Sequence, residues 1–487
     1  MAAQRVPARR LDQLLGNWRG DGHSYHELSE SIALLVRDGG LTPGAILPAE
    51  RPLAEQLGLS RTTVSAAYER LRELGVAASR RGSGTEIRAA GRRSPDPWDG
   101  GREGMIDLGH ASPPPWRGLQ RLGQRAMSEH PEAFELVGYD TVGHPALRRA
   151  IAERYTRRGL PTTPDEIMVT LGAQHAIFLI ARTLLRRGDR SLIESPSYPG
   201  AREALAAAGA LIAELPIGLE GHDQTAALDI AAVTAPRLAY LMPDHHNPTG
   251  SSMPESFRGP LIAALTGQGS YVIADETTAE MTFTEEASIG AGERTPLVTP
   301  FAAAAPHAHQ RDMILTIGSL GKTVWGGLRV GWIRSTPELI ARLESARRIG
   351  DLGTGTWEQV LATLALAEYD DILAERGLAL AAGHRAVTAA GAGFPGWRLS
   401  NASGGVSVWA NLGEPSSTRF SRASARHGVS LPPGPRFGSP GVFERFIRLP
   451  FTPAEPELSE ALRILARAWD ERGDAPAGWG AGASPVV

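Results

Sequence analysis

The sequence contains no cysteine, and of its 50 basic residues only one is a lysine, Lys322. Without cysteine there is no disulfide framework, no thiolate metal site and no thiol nucleophile. No run of 18 or more apolar residues occurs, so no segment reads as a transmembrane helix. The opening residues, "MAAQRVPARRLDQ", lack the apolar core of a secretion signal. The expectation is a cytoplasmic protein that does not engage a membrane.

The near-absence of lysine, beside abundant Ala, Gly, Pro and Arg, is a coding bias more than a physical one. Arginine replaces lysine on a surface at little cost. It cannot do so where a primary amine must lose its proton, because guanidinium stays charged. Lys322 therefore has two readings, a chance survivor or an amine kept as a nucleophile. Its surroundings must decide.

A chain of 487 residues exceeds one ordinary core and implies two or three domains. Apolar residues at 42% and charged residues at 21% are normal for a globular protein. Net charge is −3, unevenly shared: residues 1–93 hold 14 arginines and 10 acids, or +4, leaving −7 for the remainder. A mildly basic front on an acidic body is compatible with a nucleic-acid-binding head, although solvated surfaces often carry such an imbalance.

After residues 1–20, an N-terminal extension, the first organised block spans 21–88. "YHELSESIALLVRDGGL" carries Leu28, Ile32 and Leu35 at helical spacing and ends in a Gly-Gly stop. In "LPAERPLAEQLGLSRTTVSAAYERLRELGV", Gly58 closes one short helix and Ser60 caps the next. "AASRRGSGTEIR" then reads as strand, tight turn and strand. The layout is a winged helix-turn-helix. Its second helix would offer Arg61, Thr62, Thr63 and Ser65, beside Arg51 and Ser60, to the major groove. The wing would bring Arg80, Arg81, Gly82 and Ser83 to the phosphate backbone. Taken singly, each of these residues is equally readable as solvated surface.

Residues 89–104 are rich in Gly, Pro, Arg and Asp and read as a linker. From 105 to 475, short apolar runs such as "EIMVTLG", "SLIESPS", "YVIADE" and "MILTIGS" alternate with helical stretches. That alternation predicts an α/β domain with a mostly parallel sheet and its ligand beyond the strands' carboxyl ends. A smaller α/β subdomain begins near 345, and residues 476–487 read as a disordered tail.

Several polar residues fall at those strand ends. Gly172, Ala173 and Gln174 open a helix whose free N–H groups can hold a phosphate, or are a plain turn. Tyr198 follows a strand where an aromatic ring can stack. Asn247 sits in "NPTG", and Asp275 ends a strand, where a buried carboxylate needs a partner. Lys322 stands among Ser319, Thr323 and Arg329, which suit a dianionic phosphate. Pyridoxal phosphate needs a lysine for its aldehyde, a carboxylate for its ring nitrogen, a donor for its 3-oxygen and an anion site for its phosphate. No metal site is expected, because the adjacent His245 and His246 do not face one point.

Residues 21–88 resemble the GntR-type DNA-binding domain, on "LPAERPLAEQLGLSRTTVSAAYERL" and "RRGSGT". Residues 105–475 resemble a fold-type-I aminotransferase, and the whole resembles a MocR-type transcriptional regulator. The resemblance implies that Lys322 forms the internal aldimine, Asp275 pairs with the pyridinium nitrogen, Asn247 bonds the 3-oxygen and Tyr198 stacks on the ring. Ser319, Arg329 and the Gly172–Gln174 turn would hold the phosphate. Arg448, in "RFIRLPF", matches the arginine that takes an amino acid's α-carboxylate, against the plainer reading of a surface arginine. The resemblance also implies a homodimer with exchanged heads, arranged head to tail, on double-stranded promoter DNA. Two departures stand out: Thr277 and Thr278 occupy the place of a tyrosine that donates to the 3-oxygen, and Gly321 precedes the lysine where serine is common.

The resulting expectation is a regulator that senses pyridoxal phosphate, or an aldimine of it with a small amine or amino acid. Two rivals stay open here: a working aminotransferase with a vestigial head, and a DNA-binding protein whose large domain is a cofactor-free scaffold.

Overall fold

The computed structural model describes residues 5–19, 24–37, 40–80, 84–88, 105–135, 137–284 and 297–471. The expected linker, the tail and the wing-tip residues Arg81, Gly82 and Ser83 lie outside these residues, as does the side chain of Arg80.

The head comprises α1 (Ala8–Leu15), α2 (Ser24–Arg37), α3 (Glu50–Leu57), α4 (Arg61–Glu73), β1 (Ala77–Arg80) and β2 (Gly84–Ile87). Gly58 takes the left-handed conformation that ends α3, with its N–H on the carbonyls of Ala54 and Glu55. Ser60 then caps α4 by accepting from the Thr63 N–H at 3.0 Å. Leu28, Ile32, Leu53, Val64 and Leu71 are fully buried, so the helical spacing read from the sequence does place a core. Residues 1–20 were set apart as an extension, yet Leu11, Leu15 and Trp18 belong to that same core. The antiparallel β1–β2 pair forms the wing.

The body begins with β3 (Ile106–Asp107), α5 (Leu119–Glu129), α6 (Pro145–Arg157), β4 (Ile167–Thr170), α7 (Ala173–Leu184), β5 (Arg190–Ser195) and α8 (Pro199–Ala207). It continues through β6 (Leu211–Pro216), α9 (Gln224–Thr234), β7 (Leu238–Leu241), α10 (Glu255–Thr266), β8 (Tyr271–Asp275), α11 (Ala308–Arg311), β9 (Ile314–Ser319) and β10 (Gly331–Arg334). Strands β4 to β10 form one seven-stranded sheet in the order β4-β10-β9-β8-β7-β5-β6. All neighbours are parallel except β10, which runs antiparallel to both β4 and β9. Apolar clusters cover both faces of the sheet, which explains why its strands read as near-continuous hydrophobic runs.

After α12 (Pro337–Arg347), α13 (Thr356–Ala367) and the long α14 (Tyr369–Ala392), the chain builds the small subdomain. It holds β11 (Arg398–Leu399), β12 (Ser407–Asn411), α15 (Ser417–Arg426), β13 (Val429–Ser430), β14 (Phe446–Pro450) and α16 (Glu457–Asp470). Sheet order β11-β12-β14 is antiparallel, and β3 returns from far upstream to pair in parallel with β13. The head rests on this subdomain, with α2 packed against α15.

Candidate functional site

The sheet delivers side chains to its carboxyl edge from β4, β5, β7, β8 and β9, the position where open α/β sheets bind ligands. Asp275 is the last residue of β8 and is buried. Burial pushes its carboxyl upward, but three donors oppose that: Tyr240 from β7 at 2.5 Å, Thr277 Oγ1 at 2.7 Å and the Thr277 N–H at 3.0 Å. Two of these reach Oδ1 and one reaches Oδ2. Each carboxylate oxygen has two lone pairs, so Oδ2 keeps one for a further N–H.

Lys322 follows β9 in a turn set by Ser319, whose hydroxyl donates to Val330 O and accepts from the Gly321 N–H, both at 3.0 Å. Its Nζ donates to Ala111 O at 2.6 Å and meets Ser112 Oγ at 2.7 Å. Burial, then the nearby Arg448 cation, pull the ammonium down to about 8, against a smaller opposing pull from Asp275. The amine is thus poised to shed its proton near neutrality, as a nucleophilic lysine requires.

Arg448, on β14, is buried rather than on the surface. It reaches the Gly109 and Leu108 carbonyls and stands 3.5 Å from Asn247 Oδ1, over the ring of Phe437. Its Nε is buried without an acceptor, and burial lowers the guanidinium to about 10. A buried cation with an unused donor has the chemistry to pair with an anion.

Gly172 has φ +83 and precedes α7, a conformation that favours glycine. A Cβ there would stand 3.0 Å from Arg329 Nη2, and Arg329 donates to Leu171 O at 2.8 Å. Arg329 therefore lies beside the start of α7, where a helix's first N–H groups can hold an anion. The Gln174 amide nitrogen donates to Gly200 O at 3.0 Å, while its Oε1 is buried without a hydrogen-bond partner. Tyr198 immediately precedes α8; burial, then the nearby charge of Asp275, raises its phenol.

In the head, Arg61 and Thr62 are exposed at the start of α4, with Thr63 and Ser65 half-covered. Arg61 pairs with Glu50 at 3.2 Å and Arg51 with Glu55 at 3.0 Å, both loosely held at a wet surface. The Ser60 hydroxyl is spent on the cap.

Sequence reasoning missed three sets of residues. Tyr240 sits mid-strand and reads as an ordinary β residue. Residues 107–112 form a strap over Lys322 and Arg448, but "DLGHAS" carries no motif. Glu194, His222 and His246 form a buried cluster behind Asn247, with His222 Nε2 at 2.9 Å and His246 Nε2 at 3.4 Å from the carboxylate. Only their joint position in the fold reveals it. Among the described residues no group of three or more His, Asp or Glu side chains is arranged to hold a metal.

A family model described as "Aminotransferase class I and II" matches residues 126–465, and one described as "Bacterial regulatory proteins, gntR family" matches 24–87. The chain is similar to the HTH-type transcriptional regulator TauR of Rhodobacter capsulatus, 27% identical across 92% of this chain and 97% of that one. It is 29% identical to the HTH-type pyridoxine biosynthesis transcriptional regulator PdxR of Corynebacterium glutamicum, over 61% of this chain and 69% of that one. Among solved structures, LysN, the alpha-aminoadipate aminotransferase of Thermus thermophilus, aligns with TM-score 0.65 and 26% identity. That alignment covers 76% of this chain and 93% of LysN, which was crystallised with N-(5'-phosphopyridoxyl)-L-leucine.

Proposed function

The chain belongs to the class I and II aminotransferase family and carries a GntR-type DNA-binding domain ahead of it, and from that premise we propose a pyridoxal 5'-phosphate-dependent transcriptional regulator that senses the cofactor or an amine joined to it. The observation that carries this reading is Lys322, the chain's one lysine, half-buried near Asp275 and Arg448 in a body joined to a winged helix.

The residues present fit the cofactor. When bound, it supplies an aldehyde that condenses with primary amines and a ring that draws electrons from the neighbouring carbon. Lys322 would hold it covalently, and the free lone pair of Asp275 Oδ2 would accept its ring N–H. Arg329 and the Gly172–Gln174 turn, beside Ser319, would hold its phosphate, with Tyr198 against the ring and Asn247 toward the 3-oxygen. Arg448 would take the carboxylate of an incoming amino acid through the donor that now has no acceptor.

Sensing is favoured over turnover by the two threonines. Thr277 Oγ1 donates to Asp275 Oδ1, and Thr278 Oγ1 donates to the backbone carbonyls of Asp244 and His245. Neither hydroxyl proton is free to replace the phenol that would donate to the 3-oxygen. One electrostatic lever on the cofactor is therefore missing.

DNA binding would fall to Arg61, Thr62, Thr63 and Ser65 at the open start of α4, with Arg51 beside them and wing residues Arg80 to Ser83 on the backbone. A homodimer is part of the proposal. Phe134, Val137, Tyr139, Ile349 and Leu352 are exposed large hydrophobics on two adjoining segments, with Phe134 stacked on Trp357 and the Gly353 Cα hydrogens facing Asp140. Such a patch marks a protein interface.

The test is a visible spectrum of the purified protein before and after borohydride, followed by peptide mass mapping. Reduction should fix the cofactor on the peptide containing Lys322. A protein that binds promoter DNA yet never takes up the cofactor would overturn the reading.

A further inference from the structure

His175 lies in the first turn of α7, behind the turn assigned above to the cofactor's phosphate. Its Nδ1 stands 3.2 Å from the backbone nitrogen of Leu171, and its Nε2 stands 3.1 Å from Asp351 Oδ2. The Leu171 N–H can only donate, so Nδ1 is the bare nitrogen and Nε2 carries the proton toward the carboxylate. One tautomer of the neutral ring satisfies both neighbours. The imidazolium satisfies only one, because a second ring N–H would face the N–H of Leu171.

Asp351 is itself held in place. Arg347, buried on α12, donates to Asp351 Oδ1 at 2.6 Å and to Val169 O of β4 at 2.6 Å. The Gly353 N–H gives Oδ1 a further bond at 2.9 Å. The backbone of Leu171 is thus gripped twice: His175 accepts from its N–H, and Arg329 donates to its carbonyl at 2.8 Å. Thr170 Oγ1 adds a bond to Gly172 O at 3.0 Å. Backbone groups that must hold an anion in fixed geometry need such support from the residues behind them.

We infer that His175 is a positioning residue for the phosphate turn, a neutral imidazole that fixes the Leu171–Gly172 backbone and releases it on protonation. The inference rests on the cofactor reading and adds a control on that site. Among the described residues, the charged groups facing the ring are Asp351 beyond α12, Arg347 on α12 and Arg329 ahead of β10. Burial holds the imidazole below its ordinary 6.5; Asp351 opposes this, and the two arginines add to it. The ring is therefore neutral at neutral pH and takes a proton only in acid. Asp351 would meet the added charge, so protonation costs the Leu171 bond and gives the phosphate little attraction in return.

The test is equilibrium dialysis of the full chain against pyridoxal 5'-phosphate and against pyridoxal, which lacks the phosphate. His175→Leu, which cannot accept from Leu171, should lose about 10-fold in affinity for the phosphorylated compound and little for pyridoxal. Retained pyridoxal binding reports that the body is folded. His175→Gln offers one acceptor and one donor without a titrating group, and should keep the parent's preference for the phosphorylated compound at neutral pH. As pH falls below 6.5 the parent should lose that preference while His175→Gln holds it. Protonation of the phosphate itself weighs on both proteins alike. Equal losses for the two compounds in folded His175→Leu, or no loss at all, would overturn the role. Identical acid profiles in the parent and His175→Gln would overturn it independently of the leucine variant. A parent that binds neither compound would instead overturn the cofactor reading.

Discussion

Tyr240 donates its phenolic proton to Asp275 Oδ2 over 2.5 Å, from the strand next to the one that Asp275 ends. That bond leaves Asp275 Oδ2 one lone pair, which the proposal assigns to the cofactor's ring N–H. Burial, followed by the charge of Asp275, raises the Tyr240 phenol well above its ordinary value, so it stays a donor.

Tyr240→Phe removes a hydrogen bond to a buried charged group, an effect of about 1.5–3 kcal/mol. Cofactor affinity, read by absorbance titration, should fall about 10-fold or more, with Asp275→Asn at least as severe. Unchanged affinity in both would detach Asp275 from the ring nitrogen.

Lys322 gives a pH dependence. Its ammonium is lowered to about 8, so the reactive free amine accumulates as pH rises through that value. Stopped-flow cofactor uptake should climb between about pH 7 and 9 and then level off. In Arg448→Gln the neighbouring cation is gone, the ammonium becomes easier to keep, and the midpoint should move upward. A downward move contradicts the assignment.

The Glu194–His222 pair predicts a stability window. Burial opposes both charges, but His246 and His222 hold Glu194 below its ordinary value, and Glu194 holds His222 above its own. The histidine's contribution is full below 6.5 and lost as pH rises through its raised value. The glutamate's is full above 4.5 and lost as pH falls through its lowered value. His222→Leu should therefore cost most between these limits, about 3–5 kcal/mol for an uncompensated buried charge. Thermal unfolding across pH would show this as a difference from the parent that shrinks at higher pH.

Arg61→Ala should weaken operator binding about 5- to 100-fold without altering the cofactor spectrum, as expected for loss of one base or phosphate contact. Fluorescence anisotropy on promoter DNA, beside the visible spectrum, reads both. Equal binding would move the DNA-reading surface away from the start of α4.

Much of this was legible in the sequence because local physics wrote it there. Gly58 and Ser60 announce the helix-turn-helix through their backbone and capping preferences, and the apolar runs of the sheet announce strands buried on both faces. Asp275 and Lys322 showed themselves as polar residues where such runs end. What stayed hidden depends on distant chain meeting distant chain. Ser112 lies 210 residues from Lys322, and Arg422 lies 391 from Ser31.

The most direct measurement is promoter-DNA binding with and without pyridoxal 5'-phosphate and added amino acids, in the parent protein and in Lys322→Ala. The account predicts that ligand changes the affinity or footprint of the parent and leaves Lys322→Ala unresponsive, with no sustained keto-acid formation. DNA binding indifferent to cofactor, together with multiple turnovers of keto acid, would contradict it.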